Sequence, residues 1–150
     1  MNEFWPATDV DPVRRLHALA AGVRGAHVTE AYVDAPFERV WSLLGDLEGG
    51  FGQVVTDMER LRVVHRRGER VEALARSRFG PRARLRGVQR PGWCWLQSRF
   101  LLIGVAARPD GTGTRVAFTG GVRVPTRAAL IPVGVRREGT RNVSRLTALL

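Results

Sequence analysis

The sequence contains no lysine, one cysteine and three histidines among its 150 residues. Without a lysine ammonium, the protein can neither form a Schiff base with a carbonyl substrate nor build a P-loop for nucleotide phosphates. The single Cys94 excludes an internal disulfide and is typical of a reducing cytoplasm. The missing residue types therefore exclude two common kinds of site and favour a cytoplasmic location.

Metal binding is also poorly supported by the residue pattern. His17, His27 and His65 are isolated, and no HxxxH, HExxH or paired cysteine–histidine spacing occurs. Cys94 lies in an apolar strand pattern without a nucleophile motif, which favours a small buried residue over a reactive thiol. We therefore expect neither a metal nor a cofactor.

Long apolar runs are missing as well, since no stretch approaches the roughly 20 residues of a membrane span. The first residues, MNEFWPATDVD, are acidic and lack the apolar core of a secretory signal. A hydrophobic content of 44% and a charged content of 25% are typical of a globular domain. We expect one such domain without a membrane span, in a protein that is either a monomer or a homodimer.

Arginine supplies all the basic residues, and the formal net charge is +10. Such an excess attracts polyanions, so one interpretation is an interaction module for RNA, a ribosome or an acidic partner. The alternative is that arginine fills ordinary solvated positions in a genome with biased codon use. No run of adjacent arginines with interleaved aromatics occurs, and we therefore expect no specific nucleic-acid partner.

A first helix is predicted near the start of the sequence. Asp11 and Pro12 form a favourable helix start, and Val13, Leu16 and Ala20 then repeat at helical spacing. This pattern predicts a short helix packed on the domain. A mobile lid and a membrane-surface helix are the alternatives.

A strand and two short helices follow. The strand is predicted over residues 27–33, and Pro36 then lies in the first turn of a helix. The GGFG segment at residues 49–52 ends that helix, and a further short helix is expected before Met58. The apolar stripe of the longer helix consists of Phe37, Val40, Trp41, Leu44 and Leu47.

Beyond Met58 the hydrophobic period changes to two, with arginines at the alternate positions, which predicts antiparallel strands with one apolar face. The turn signals lie at Gly68, Gly80-Pro81, Pro91-Gly92 and Asp110–Gly113. After a connection marked by Pro125 and Pro132, the chain closes with an amphipathic helix. One face of this helix carries Gly139, Val143, Leu146 and Leu150, with Asn142 beside them. The order predicts an α+β fold in which the terminal helix covers a curved sheet of about seven strands.

This order, with the motifs "EAYVDAPFERVW" and "RPDGTGTRVAF", resembles the START-related, polyketide cyclase-like (SRPBCC) superfamily. The resemblance covers residues 26–150 and leaves residues 1–25 as an N-terminal helical extension. It implies a helix-grip fold, in which the sheet wraps around the last helix and encloses a mostly apolar cavity. The superfamily includes cyclases, lipid carriers and ligand sensors, and it has no universal catalytic residues.

Polar residues on the apolar phase of the strands are the candidates for orienting a ligand. If Trp93 and Trp95 point inward, Gln97 and Arg99 do so too; in the opposite phase, Cys94 and Leu96 point inward. His65 and Ser77 share the inward phase of their strands, although His65 and Arg99 can also lie in water at strand ends. Tyr32 is placed at the mouth of the cavity, and Trp41 either there or in the core. The expected ligand-binding residues are Trp41, His65, Ser77, Trp95, Gln97, Arg99, Phe118, Gly120, Gly139 and Asn142.

Gly120 and Gly139 each remove a side chain from a surface predicted to face the cavity, which would leave room for a ligand. The alternatives are a β-bulge at Gly120 and close helix–sheet packing at Gly139.

Three functions are compatible with the sequence. The first is binding or carrying of a small apolar, polyketide-like or lipid-like molecule. The second is a cyclase or dehydratase, in which His65 is the general base and Arg99 the oxyanion clamp. The third is the arginine-rich interaction module.

Overall fold

The computed structural model describes residues 11–55, 58–77, 82–99, 101–122 and 135–150. The elements in these residues follow the expected order. They are α1 (Pro12–Ala21), β1 (Val28–Val33), α2 (Phe37–Leu44), α3 (Gly50–Val54), β2 (Met58–Arg67), β3 (Arg70–Ser77), β4 (Arg82–Arg90), β5 (Trp93–Gln97), β6 (Leu101–Asp110), β7 (Gly113–Val122) and α4 (Val135–Leu149). The turn expected at Gly80-Pro81 and the connection with Pro125 and Pro132 lie outside the described residues.

The seven strands form one curved antiparallel sheet in the order β1-β7-β6-β5-β4-β3-β2. β1 pairs with β7, so the first and last strands are neighbours, and the chain between β1 and β2 carries α2 and α3 over the concave face. Leu146 of α4 is buried in the same core as α2 and α3. The predicted helix-grip fold is confirmed. No helix of the described residues is long and apolar enough to cross a bilayer.

Two side chains near α2 set the positions of the short helices. α2 begins directly after Pro36 and ends at Leu44, with Gly45 as its C-cap. Asp46 then begins the next turn, since its carboxylate accepts a hydrogen bond from the Gly50 N–H at 3.2 Å and its carbonyl one from the Phe51 N–H at 2.9 Å. The helix end expected at the GGFG segment is therefore wrong, because α2 already ends at Leu44 and Gly50 of this segment begins α3.

α1 packs on the convex face of the sheet. The carboxylate of Asp11 caps the helix by accepting a hydrogen bond from the Val13 N–H at 2.8 Å. Val13 and Leu16 are buried against Trp93 and small residues of the sheet, and the Arg15 guanidinium lies 4.9 Å from the centre of the Trp93 ring. The helix thus closes a second, smaller apolar cluster on the outer side of the sheet. The division of the chain at residues 25 and 26 stays a prediction.

The side chains of β5 alternate in the opposite phase to the one that would point Trp95 and Gln97 into the cavity. Cys94 and Leu96 face the main core, whereas Trp93 and Trp95 belong to the cluster under α1. The inward orientation expected for Trp95 and Gln97 is therefore wrong. The physical reason is that α1 covers this part of the convex face, so β5 is apolar on both sides and alternation alone does not define its phase.

Candidate functional site

The concave face carries a row of cross-strand neighbours that runs from β4 to β1. Gln89 pairs with Cys94, Cys94 with Val105, Val105 with Phe118, and Phe118 with Thr29. The first four of these residues are buried and Thr29 is half-buried. The row is apolar in its middle and polar at both ends, which is the composition of a small-molecule site with a few orienting groups.

At the β4 end of the row, Gln89 forms hydrogen bonds that join the sheet to the residue after α2. The amide nitrogen of Gln89 donates to the carbonyl of Gly45 at 2.6 Å. The guanidinium of Arg66 donates to the amide oxygen of Gln89 at 2.7 Å. The buried amide is therefore satisfied on both sides, which fixes its orientation on the concave face.

Arg66 reaches this position because β2 contains a register shift between Val63 and His65. Beyond the shift, Arg66 lies opposite the buried Val71, and His65 lies opposite Glu72 with its side chain exposed. An extra residue in one strand reverses the alternation that follows it. The inward orientation expected for His65 is therefore wrong, and Arg66 takes the concave position instead.

Arg66 and Gln89 were both missed by the sequence reasoning. No sequence signal marks the bulge, so the position of Arg66 was not predictable. Gln89 was predictable, because it continues the alternation of Leu85 and Gly87 on the concave face.

Cys94 lies beside this polar pair and is chemically inert there. Burial raises the pKa of its thiol from 9.0 to about 12, and the positive charge of Arg66 offsets this only in part. A thiol with such a pKa is protonated at neutral pH and is a poor nucleophile. The environment of Cys94 agrees with the expected core role.

Gly139 lets α4 contact β1 closely. A Cβ atom at Gly139 would lie 1.9 Å from the Oγ1 atom of Thr29, closer than any real contact. The close-packing alternative therefore accounts for this glycine, and the expected empty space at Gly139 is absent. Gly139 fixes where α4 crosses the row instead of enlarging a cavity.

Gly120 lies on the concave face opposite Ile103. A Cβ atom there would be 2.8 Å from the Leu102 carbonyl oxygen, although no other heavy atom lies closer than 3.9 Å. The backbone of β6 thus restricts this position while the concave side stays uncrowded. Substitution of Gly120 would strain the sheet as well as fill space.

One end of the concave face is less covered than the rest. Leu101, Gly120, Val143 and Asn142 are half-buried, in contrast to the fully buried Leu96. Leu101 follows the β5–β6 turn, which is closed by a hydrogen bond from the Ser98 N–H to the Leu101 carbonyl at 2.8 Å. These residues outline the accessible part of the candidate site.

The other expected site residues are distributed over several surfaces. Trp41 is half-buried on α2, stacked on Phe37 at a centroid distance of 6.3 Å and packed against the main core. Arg99 is exposed in the β5–β6 turn. Ser77 ends β3 opposite Met58, and its side chain lies outside the described part of the chain.

Three aromatic or polar candidates lie on the convex side. Trp95 is half-buried there and donates from its indole nitrogen to the exposed Gln97 at 3.4 Å. Tyr32 is 47% exposed on β1, opposite Arg115, and so does not line the concave face.

The proposed catalytic pair does not converge. His65 lies on the convex side of β2, and Arg99 follows β5, which is three strand spacings or about 14 Å away. Both side chains are exposed. In the described residues no group of three histidine, cysteine or acidic side chains is placed to hold a metal ion, and a metal-free protein stays a prediction.

Solved structures of similar fold agree with this architecture. The protein TTHA0849 from Thermus thermophilus is 26% identical, with a TM-score of 0.55 over 82% of this chain and 92% of that one. The KanY protein is 13% identical, with a TM-score of 0.63 over 83% and 95% of the two chains. The Zhui aromatase/cyclase from a Streptomyces species is 13% identical, with a TM-score of 0.62 over 83% and 92%.

These similarities confirm the predicted helix-grip fold. Neither a protein-family model nor a curated protein matches the sequence.

Proposed function

We propose that the protein binds or carries a small, largely apolar molecule between the concave face of the sheet and α4. The observation that supports this function most is the less covered end of the concave face, where Leu101, Gly120 and Val143 are half-buried. Apolar walls supply most of the affinity for such a ligand, and a few fixed polar groups orient it. The helix-grip fold is consistent with this arrangement.

The ligand occupies the less covered end of the face. Leu85 and Leu96 are 0% exposed, so no space for a water-sized group adjoins them. Leu101, Gly120 and Val143 are half-buried and adjoin the core. We therefore place the ligand against these three residues, with the half-buried Asn142 on α4 beside it.

A neutral fluorescent probe tests the site, because an anionic probe would also be attracted to the exposed arginines. The expected result is saturable Nile red binding to the wild type, reduced about tenfold or more in Val143→Trp because the indole fills the space. Ser144→Trp is the matched control, since Ser144 is exposed on the same helix. Equal binding by the two variants would reject the site on α4.

Native mass spectrometry of the purified protein gives a second measurement. The proposal expects a co-purified small molecule that is retained by the wild type and by Ser144→Trp and lost from Val143→Trp. A wild type that neither retains a molecule nor binds Nile red would overturn the proposed function.

A cyclase or dehydratase acting on a polyketide-like substrate is the second candidate. The observation that favours it is the guanidinium of Arg66, which the hydrogen bond to Gln89 orients and which has further N–H donors for a developing enolate. The test is the conversion of a linear polyketide thioester mimic, followed by liquid chromatography and mass spectrometry. Arg66→Gln is expected to lower kcat while Nile red binding is kept. An unchanged kcat would exclude a role of Arg66 in the reaction. If the wild type converts no substrate, only the binding or carrier function remains.

A further inference from the structure

The convex surface of β2, β3 and β4 carries arginines in two cross-strand rows around a shallow recess. In one row, Arg60 lies opposite Arg76, and Arg76 lies opposite Arg82. In the next row, Leu74 lies between its partners Arg62 and Arg84. The recess has a volume of about 400 Å³. We call this group the arginine face, and it consists of Arg60, Arg62, Arg76, Arg82 and Arg84, all exposed.

Carboxylates neutralise the arginine face only partly. Glu72 lies 3.3 Å from the guanidinium of Arg84 and also binds Arg86, just beyond the recess, at 3.2 Å. Arg60, Arg62 and Arg82 form no ion pair with any residue in the described ranges. Like charges directly opposite each other on a sheet are destabilising. Arg60, Arg62 and Arg82 are therefore cations that an anionic partner could neutralise.

We propose that the arginine face binds the phosphate backbone of a nucleic-acid duplex without reading its sequence. Guanidinium groups bind phosphate oxygens in bidentate geometry, so five of them around one recess offer donors on both sides of a phosphate ridge. This site lies on the opposite side of the sheet from the proposed ligand site and does not depend on it.

The side chains of the face favour a duplex over the other polyanions. Binding of single strands relies on stacking between bases and aromatic side chains, and the recess contains none in its described lining. A membrane surface is flat at the scale of the recess, and stable attachment to it usually needs apolar insertion. The large apolar side chain in the recess is Leu74, which is 41% exposed and flanked by arginines.

The test is fluorescence anisotropy with labelled mixed-sequence duplexes of about 20 base pairs, as DNA and as RNA, over a range of salt concentrations. The wild type is expected to bind with a Kd of about 1–100 µM near physiological salt and equally well to unrelated sequences. The triple variant Arg60→Gln, Arg62→Gln, Arg82→Gln is expected to bind at least about tenfold more weakly. The slope of its plot of log affinity against log salt concentration should be smaller in magnitude by about 2–3.

The matched control is Arg14→Gln, Arg24→Gln, Arg145→Gln, which removes the same charge from exposed arginines on other surfaces. This control is expected to keep the affinity within about threefold, and an equal loss in both triple variants would overturn the proposal. Both variants must retain the wild-type circular dichroism spectrum and thermal denaturation midpoint. Leu74→Glu is a second test variant, because it places a carboxylate in the recess and is expected to weaken duplex binding.

Three further results would also overturn the proposal. They are the absence of duplex binding by the wild type near 50 mM salt, tighter binding to vesicles of anionic phospholipid, and tighter binding to polyglutamate at matched charge concentration. The vesicle result would assign the face to a membrane, and the polyglutamate result to an acidic protein. Equal binding of the DNA and RNA duplexes, or a preference for the A-form duplex, would support the proposal.

Discussion

The two halves of the convex face have opposite chemistry although they belong to one sheet. Under α1, the strands present tryptophan, alanine and glycine, and Leu16 of the helix is buried on them. On β2, β3 and β4, the same face presents rows of exposed arginines. The first half is completed by the chain itself, and we propose that a partner completes the second. The comparison shows that the convex residues of each strand, and not the alternation pattern, decide whether a helix or a charged surface lies on that side of the strand.

The largest expected effect concerns the covered half. Leu16→Ala removes a fully buried side chain and should lower the free energy of unfolding by about 2–5 kcal/mol, measured by urea denaturation. Leu19→Ala, at an exposed position of the same helix, should change it by less than about 0.5 kcal/mol. If the two variants are equally stable, α1 does not hold the covered half together.

The second prediction concerns Cys94, on the concave side of β5 beneath the covered half. Its folded pKa is about 12 and its ordinary pKa is 9.0, so both states are protonated below pH 9 and only the unfolded state ionises between pH 9 and 12. The free energy of unfolding should therefore fall by about 1.4 kcal/mol per pH unit in that range.

The measurement for Cys94 is urea denaturation at about pH 8 and about pH 10, with Cys94→Ala as the control that lacks the thiol. The wild type should lose more stability than the variant over this interval. If the wild type and Cys94→Ala lose the same stability between these pH values, the Cys94 thiol is not shielded from water.

The third prediction concerns the first turn of α1. The Asp11 carboxylate caps the helix and lies 2.8 Å from the Nε atom of Arg108. Asp11→Ala should lower the free energy of unfolding by about 1 kcal/mol because the cap is lost. Asp11→Asn keeps a capping oxygen and loses the charge, so its effect should be smaller in thermal denaturation. An Asn variant as unstable as the Ala variant would show that the ion pair matters more than the cap.

The smallest expected effect concerns the arginine face. Leu74→Glu places a carboxylate between Arg62 and Arg84, and favourable cross-strand pairs should raise the free energy of unfolding by about 0.5 kcal/mol. Leu149→Glu, at a comparably exposed leucine of α4, should be close to neutral. The gain should shrink in high salt because exposed charges are screened. A loss of stability in Leu74→Glu would show that the arginines are not mutually repulsive.

The fold was largely predictable because its signals are local. Asp11 and Pro36 mark helix starts, Gly68 and Gly111 have positive φ in tight turns, and the spacing of Val143 and Leu146 defines the buried side of α4. Each of these signals depends on a few neighbouring residues, so the element order and the helix-grip fold follow from them.

The site was less predictable because its residues are placed by contacts distant in sequence. Because of a bulge in β2, Arg66 lies on the concave face where His65 was expected. The position of α1 decides that Trp95 points to the convex side. Phe118 and Gly120 do lie on the concave face, as their alternation indicated.

By itself, the sequence determined the α+β class, the order of the elements and the excess of arginine, since these depend on composition and local periodicity. Only the tertiary structure decided which face of β5 and of β6 is inside, because these two strands are apolar on both sides. It also decided that Gly139 serves a contact with Thr29 and that five separated arginines meet on one surface. Strand pairing brings residues together whose separation in sequence carries no signal of their contact.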